Sequence, residues 1–201
     1  MLKRNPFIYF EHTPFPLESG CVLISVPFCG GGCEYFERTV IFLIYHDEEG
    51  TYGLVLNRSI GDAKFHRLIN NVKSKPQNIP LSNGGPVKIK NLYAIHTLGN
   101  LTEDTIPVSD EFYFSPLSKE VIETIFGDDT EENIIRIYFG YAGWSAGQLE
   151  SELENKMWVI GQFQKELLFY TDDDDCWKTA VKSLGGEYLS WFDIVKEPEL
   201  N

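Results

Sequence analysis

Residues Gly143-Trp144-Ser145-Ala146-Gly147 have the G-x-S-x-G spacing that presents a serine nucleophile on a sharp strand-to-helix turn. They follow the apolar run "IIRIYF" and open into a helical pattern, as that chemistry requires. The serine also needs an imidazole base, and on the hydrolase fold that spacing belongs to, the histidine follows the serine in the chain. All four histidines, His12, His46, His66 and His96, precede Ser145. The same residues fit a second chemistry. Ser145 followed by Gln148, just ahead of an apolar helical stripe, is a capping box in which the hydroxyl satisfies an orphan N–H for about 1 kcal/mol. The histidine order favours the cap.

Other groups have reactive residue types at suggestive spacing. His46-Asp47 lies where an apolar run meets "DEEG". The pair suits acid–base work, or turn chemistry in which the Asp side chain accepts backbone N–H bonds. Cys29 and Cys33 bracket three glycines. Two thiolates fall short of the four N/S ligands of a structural zinc site, so a glycine loop is expected there. Asp172 to Asp175 precede a helical pattern, where carboxylates suit the positive end of the helix dipole. Gly140, Gly143 and Gly147 surround the turn at Trp144, and "NGGPV" (83–87) is a second glycine-rich turn. Free backbone N–H groups there favour an anion, while close backbone packing also demands glycine. Trp144, between a strand and a packed helix, is expected in the core. His96 ends a strand and is expected to be a satisfied core or edge histidine.

Whole-chain totals narrow the functional classes. The 201 residues carry a formal net charge of −13, which opposes the phosphate neutralisation that DNA affinity depends on. One segment, 62–75, is basic through Lys64, Arg67, Lys73 and Lys75. A solvated helix face is the expectation for it, so direct DNA binding is not expected. Residues are 43% hydrophobic and 14% aromatic, ample for a packed core. No stretch approaches the ~20 apolar residues of a membrane span. Four cysteines without an export signal point to reduced thiols in a cytoplasm.

The elements that must position these residues follow from periodicity. Strands are expected at 21–28, 38–46, 51–57, in "NLYAIHTL" and "EFYFS", and at 134–140 and 166–171. Residues 47–50 form a hairpin loop. Helices are expected at 62–72, at 118–127 with Ser118 as cap, at 145–157, and from the Asp run to Gly185. Strands outnumber helices without strict alternation, so the class is α+β.

The stretch "GYAGWSAGQLESELENKMW" strongly resembles the signature G-Y-A-G-W-G-x-G-Q-L-E-x-E-L of the bacterial YqgE/AlgH family. "LISVPF" with "FERTVIFLIYHDEEGTYGLVLNR", "GGPV" and "LLFYTDDDDCWKTAVKSLG" resemble its other blocks in the same order, over roughly residues 18–186. Where the family usually has Gly, this chain has Ser145. The family's frequent Asp-Pro before the phenylalanine is replaced here by "GGGCEYF". The resemblance implies a compact single α+β domain over 1–201, with a bifurcated β-sheet curled toward a pseudo-barrel and flanked by helices. Some members are called transcriptional regulators of exopolysaccharide synthesis, and no reaction is established for the family.

The expectation is therefore a non-enzymatic cytoplasmic binding or regulatory protein with a protein or small-molecule partner, and without cofactor, metal or catalytic residue. The alternative is a small-anion binder or an enzyme using the glycine turns and His46. The candidate ligand-binding set is His46, Asn57, Gly84, Gly85, Gly143, Trp144 and Gln148.

Overall fold

The computed structural model describes residues 15–27, 34–60, 79–127, 133–169 and 173–194. The basic segment 62–75 and the helix expected at 62–72, together with His12, His66, Cys29 and Cys33, lie outside those residues.

Strands β1 (Cys21–Ser25), β2 (Val40–Asp47) and β3 (Gly50–Val55) form an antiparallel meander. Their β-branched and aromatic content favours pleated backbone. β4 (Leu81–Asn83) and β5 (Val87–His96) flank the "GGPV" turn. β6 (Ile106–Pro107) and β7 (Tyr113–Pro116) extend the far edge, and β8 (Ile135–Ser145) runs eleven residues through the middle. β9 (Trp158–Gln162) pairs with β1. The nine-stranded sheet has the order β6-β7-β5-β8-β3-β2-β1-β9, with β4 beside β8, and curls into a half-barrel. Every pairing is antiparallel except β4 with β8. The expected α+β class and bifurcated, curled sheet are observed.

Both faces of the sheet are covered. Val22, Ile24, Phe42, Leu54 and Tyr138 pack with Cys176, Trp177 and Val181 of α3 (Asp173–Leu184) and with Trp191 of the short α4 (Trp191–Ile194). On the other face, Leu23, Ile41, Leu43, Val55 and Trp144 pack with Leu149 of α2 (Gln148–Glu154). Ile79, Leu81, Ala94 and Ile137 pack with Val121 and Ile125 of α1 (Lys119–Ile125), whose N-cap is Ser118, as expected. This burial on both faces is why β1 and β2 read as continuous apolar runs.

Two expected elements are corrected. The strand expected at 166–171 is not formed over its described residues: Lys165–Leu168 is a 3-10 turn with Leu167 and Leu168, neighbours in the chain, both packed into the same core. Strand alternation would send neighbours to opposite faces. The helix expected over 145–157 is shorter, because Ser145 belongs to β8 and the chain leaves the helix at Asn155, with Lys156 at φ 58°; the five-residue edge strand β9 (Trp158–Gln162), which no expectation covered, follows it.

The bifurcation sits at Gly84. β3 pairs with β8 only as far as Gly53, opposite Ala142. Beyond that point Val55 donates its N–H to the Gly84 carbonyl, and Gly84 donates its own to the Phe139 carbonyl. A Cβ on Gly84 would lie 2.5 Å from the Gly140 oxygen. A Cβ on Gly85, whose φ is +148°, would lie 2.2 Å from the Tyr141 carbonyl carbon. Backbone cannot yield as a side chain does, so the fork is closed to any other residue.

Arg136 is the tie across the half-barrel. Its guanidinium is buried and donates to the carbonyls of Leu168 and Leu56 and, at 2.9 Å, to the Ser82 hydroxyl. It lies over the Tyr138 ring, 5.8 Å from the centroid. Among the described residues no carboxylate pairs with it, and its Nε and the Tyr138 hydroxyl have no hydrogen-bond partner.

His96 is fully buried, as expected of a core histidine. Its Nδ1 accepts the Leu98 N–H, so Nε2 carries the proton and donates to the Ser115 hydroxyl at 2.9 Å. Burial drives its pKa down to about 4 from the ordinary 6.5.

Two predictions follow from this architecture. Gly85→Ala should cost at least ~2 kcal/mol in a denaturant melt, in the upper part of the overpacking range, whereas Gly99→Ala, with nothing within 4 Å of its Cβ, should cost much less despite its positive φ. For His96 the folded state disfavours the proton that the unfolded state accepts. Its contribution is present above pH 6.5 and is lost as the pH falls toward about 4, worth at most ~3 kcal/mol at 1.36 kcal/mol per pH unit. The slope of stability against pH across that window should flatten in His96→Asn, measured by denaturant midpoint.

Candidate functional site

Three tyrosines share one face of the sheet because two strands slip phase. In β2, Phe42 and Ile44 point into the α3-side core, and a bulge between Leu43 and Tyr45 then turns Tyr45 to that same face. In β8, Tyr138 and Tyr141 face the same core although three residues apart, because Gly140 lies between them with φ +62°. Tyr52 of β3 sits opposite Tyr45. The Tyr45 and Tyr52 rings lie 5.6 Å apart at 21°, and the Tyr141 ring stands 5.8 Å from Tyr52 at 62°. Tyr45 is 41% exposed. The array continues inward through Tyr93 to Phe114.

These rings open onto a cleft of about 430 Å³, bordered also by Asp47, Glu49, Gly50, Val87, Gly143, Trp144, Ser145 and Gln148. The β2–β3 hairpin shapes one end. Asp47 Oδ1 accepts the N–H groups of Glu49 and Gly50 at 2.8 and 3.1 Å, the turn chemistry expected of it. The Tyr45 hydroxyl donates to Asp47 Oδ2. That bond, foremost, holds the Asp47 carboxyl below its usual range and raises the Tyr45 phenol. Beside the cleft, the Lys88 ammonium stands 6.0 Å from the Tyr141 ring centroid, within cation–π reach.

The opposite wall corrects the capping expectation. Ser145 still pairs with Gly50 in the β3–β8 ladder, so its backbone is committed to the sheet. Gly147, at φ 73°, is the residue that turns the chain into α2. The Ser145 hydroxyl donates to Gln148 Oε1 at 3.1 Å and does not cap the helix. Half of the box survives, since Gln148 Oε1 also accepts the Ser145 N–H.

Of the seven candidate residues, the cleft brings together Gly143, Trp144 and Gln148. His46 lies on the other face of β2, with Nδ1 2.7 Å from the Thr51 hydroxyl and Nε2 4.0 Å from Glu150. Gly84 and Gly85 form the fork. Asn57 is buried elsewhere: its amide donates to the carbonyls of Arg38 and Asp173 and its oxygen accepts the Val40 N–H. It thereby ties β2 to the start of α3, under a second cleft lined by Glu37, Arg38, Arg58, Asp173 and Asp174, where Arg38 pairs with Asp174 at 3.2 Å. Sequence reasoning missed Tyr45, Tyr52 and Tyr141. Their aromatic type was visible, but the phase shifts that align them were not.

The model of the AlgH-like family matches residues 22–189. The chain belongs to that family. It is similar to a UPF0301 protein of Parabacteroides distasonis, 31% identical over 98% of both chains, and to one of Bacteroides thetaiotaomicron, 33% identical over 90% of both. Among solved structures it resembles the AlgH protein from Pseudomonas aeruginosa, with a TM-score of 0.68, 27% identity, and coverage of 94% of this chain and 100% of that one.

The block that carries the AlgH-like resemblance is largely structural. Trp144 is in the core, 7% exposed, as expected. Its indole N–H and that of Trp158 both donate to Glu152 Oε2 at 2.8 Å, and the two rings meet edge to face. Gln148 donates to the other Glu152 oxygen. One carboxylate of α2 therefore fixes β8 to β9. Trp144→Ala should lower unfolding free energy by ~3–5 kcal/mol, as large-to-small core changes do. Ser145→Ala, losing an exposed bond and no cap, should stay within about 0.5 kcal/mol of the parent. Parallel urea melts compare the two.

Proposed function

We propose that the chain is a non-enzymatic cytoplasmic binding protein, regulatory in kind, that holds its partner at the tyrosine-lined cleft between the β2–β3 hairpin and β8. The observation that carries this reading is the cleft itself: aromatic faces and polar groups open to solvent, with no histidine or cysteine among the bordering residues. The Ser145 hydroxyl is bonded to Gln148, and the imidazoles of His46 and His96 face elsewhere. Cys21 and Cys176 are buried and unbridged, with burial raising their thiols to about 11 and about 12, which suits a reducing compartment and an inert role. Among the described residues no helix is long and apolar enough to cross a membrane.

The glycine turns argue against an anion. Gly84 N–H is spent on Phe139 and Gly85 N–H on Asn83 Oδ1, so neither is free for a phosphate. The cleft instead carries Asp47 and Glu49.

A thermal-shift screen of the parent against nucleotides, phosphates, amino acids, short peptides and metal ions tests the site. Binding to the folded state raises Tm. The expected hit loses its shift in Tyr45→Ala and Gln148→Ala; a shift that both variants retain places the partner elsewhere and overturns the reading. In a separate titration, duplex DNA should bind no tighter than the non-specific ~10⁻⁴–10⁻⁶ M at physiological salt. Nanomolar, sequence-selective binding would replace this reading with a DNA-binding one.

A further inference from the structure

We infer that the group held in the tyrosine cleft is a guanidinium, carried either by an arginine of a partner segment or by a small free guanidinium compound. The inference rests on the cleft being a binding site and adds the chemistry of its ligand.

Charge excludes the anionic classes first. The residues bordering the cleft include Asp47 and Glu49 and no lysine or arginine. The Tyr45 hydroxyl and two backbone N–H groups all donate to Asp47, which keeps it ionised. A chain of net charge −13 adds a field that draws cations.

Shape then selects among cations. The Tyr45 and Tyr52 rings are stacked and Tyr141 stands edge-on to Tyr52, so the exposed Tyr45 ring offers the aromatic surface open to a ligand. A compact ammonium is best served by one ring face. The Lys88 ammonium already occupies that position over Tyr141, so the chain's own cation serves the ring best suited to one. What remains is the exposed Tyr45 ring with a carboxylate in the same cleft. Among the described residues Glu49 makes no side-chain hydrogen bond or ion pair. A planar guanidinium stacks on aromatic faces and donates two parallel N–H bonds to a carboxylate, which an ammonium cannot do.

The test is an NMR titration of the ¹⁵N-labelled chain with three probes: acetyl-Gly-Arg-Gly-amide, its citrulline counterpart, which is a neutral near-isostere, and methylguanidinium chloride. The arginine peptide should shift amides of 45–52 and 141–148. Citrulline should weaken binding about tenfold, the loss expected for a charge-assisted fork and stacked cation. Tyr45→Ala and Glu49→Gln should each weaken it about fivefold or more. Tyr45→Phe, which keeps the ring, should stay within about twofold and serves as the folding control. Lys88→Ala, which vacates Tyr141, should leave binding unchanged or tighten it. A peptide about tenfold tighter than methylguanidinium assigns a peptide source; equal affinities assign a free compound.

Equal binding of the arginine and citrulline peptides at the cleft overturns the guanidinium inference and leaves the binding-site reading standing. Absence of any cleft shift with the arginine peptide at 10-millimolar order also overturns it. In that case the thermal-shift hit and its loss in Gln148→Ala decide the cleft separately.

Discussion

Arg136 brings a permanent positive charge into the interior of the half-barrel, and the surrounding backbone is arranged to accept it. Three acceptors from three parts of the chain converge on it: Leu56 just past β3, Ser82 in β4 and Leu168 in the turn before α3. No carboxylate among the described residues neutralises it. The charge is stabilised by dipoles and by the Tyr138 ring, and removing those acceptors would strand a buried charge at a cost of about 3–5 kcal/mol. The end of β3, the parallel strand β4 and the 3-10 turn are thus held at fixed distances from β8.

That fixed geometry is what lets the sheet fork. β8 has β5 along one edge, but its other edge is shared by β3 and β4. At the join the backbones of Gly84, Gly85 and Gly140 touch, with no room for a Cβ at any of the three. The positive φ of Gly140 has a second consequence, since it turns Tyr141 onto the face of Tyr52. The fork and the cleft are two results of one local backbone conformation.

The Trp144–Glu152–Trp158 cluster does on the α2 face what Arg136 does on the other. It joins β8, α2 and β9 through one carboxylate that accepts two indole N–H bonds. The sequence block most diagnostic of the AlgH-like family therefore combines an internal brace with one wall of the cleft. Gly140 and Trp144 are explained by packing, and Gly147 by its left-handed φ at the start of α2. Tyr141, Gly143, Trp144, Ser145 and Gln148 are the members of the block that also border the cleft.

Local chemistry alone was enough for several features. The buried apolar strands β1, β2 and β3, the Asp47 turn, the Ser118 cap, the acidic start of α3 and the core placement of Trp144 and His96 each depend on residue type and short-range periodicity. The α+β class followed from their order. Tertiary structure decided the rest. Ser145 and Gln148 spell a capping box, yet pairing with Gly50 kept Ser145 in the sheet and left the cap to Gly147. Leu167 and Leu168 read as strand, but both pack into the same core, and strand alternation would send one of them to the opposite face. The cleft itself was out of reach of periodicity. A bulge at Ile44 and a left-handed residue at Gly140 each advance a strand by one residue, and one residue is the whole difference between the two faces of a sheet. Counting alternation from either strand's start sends Tyr45 and Tyr141 to the wrong side, and only the closed hydrogen-bond ladder shows where the count slips.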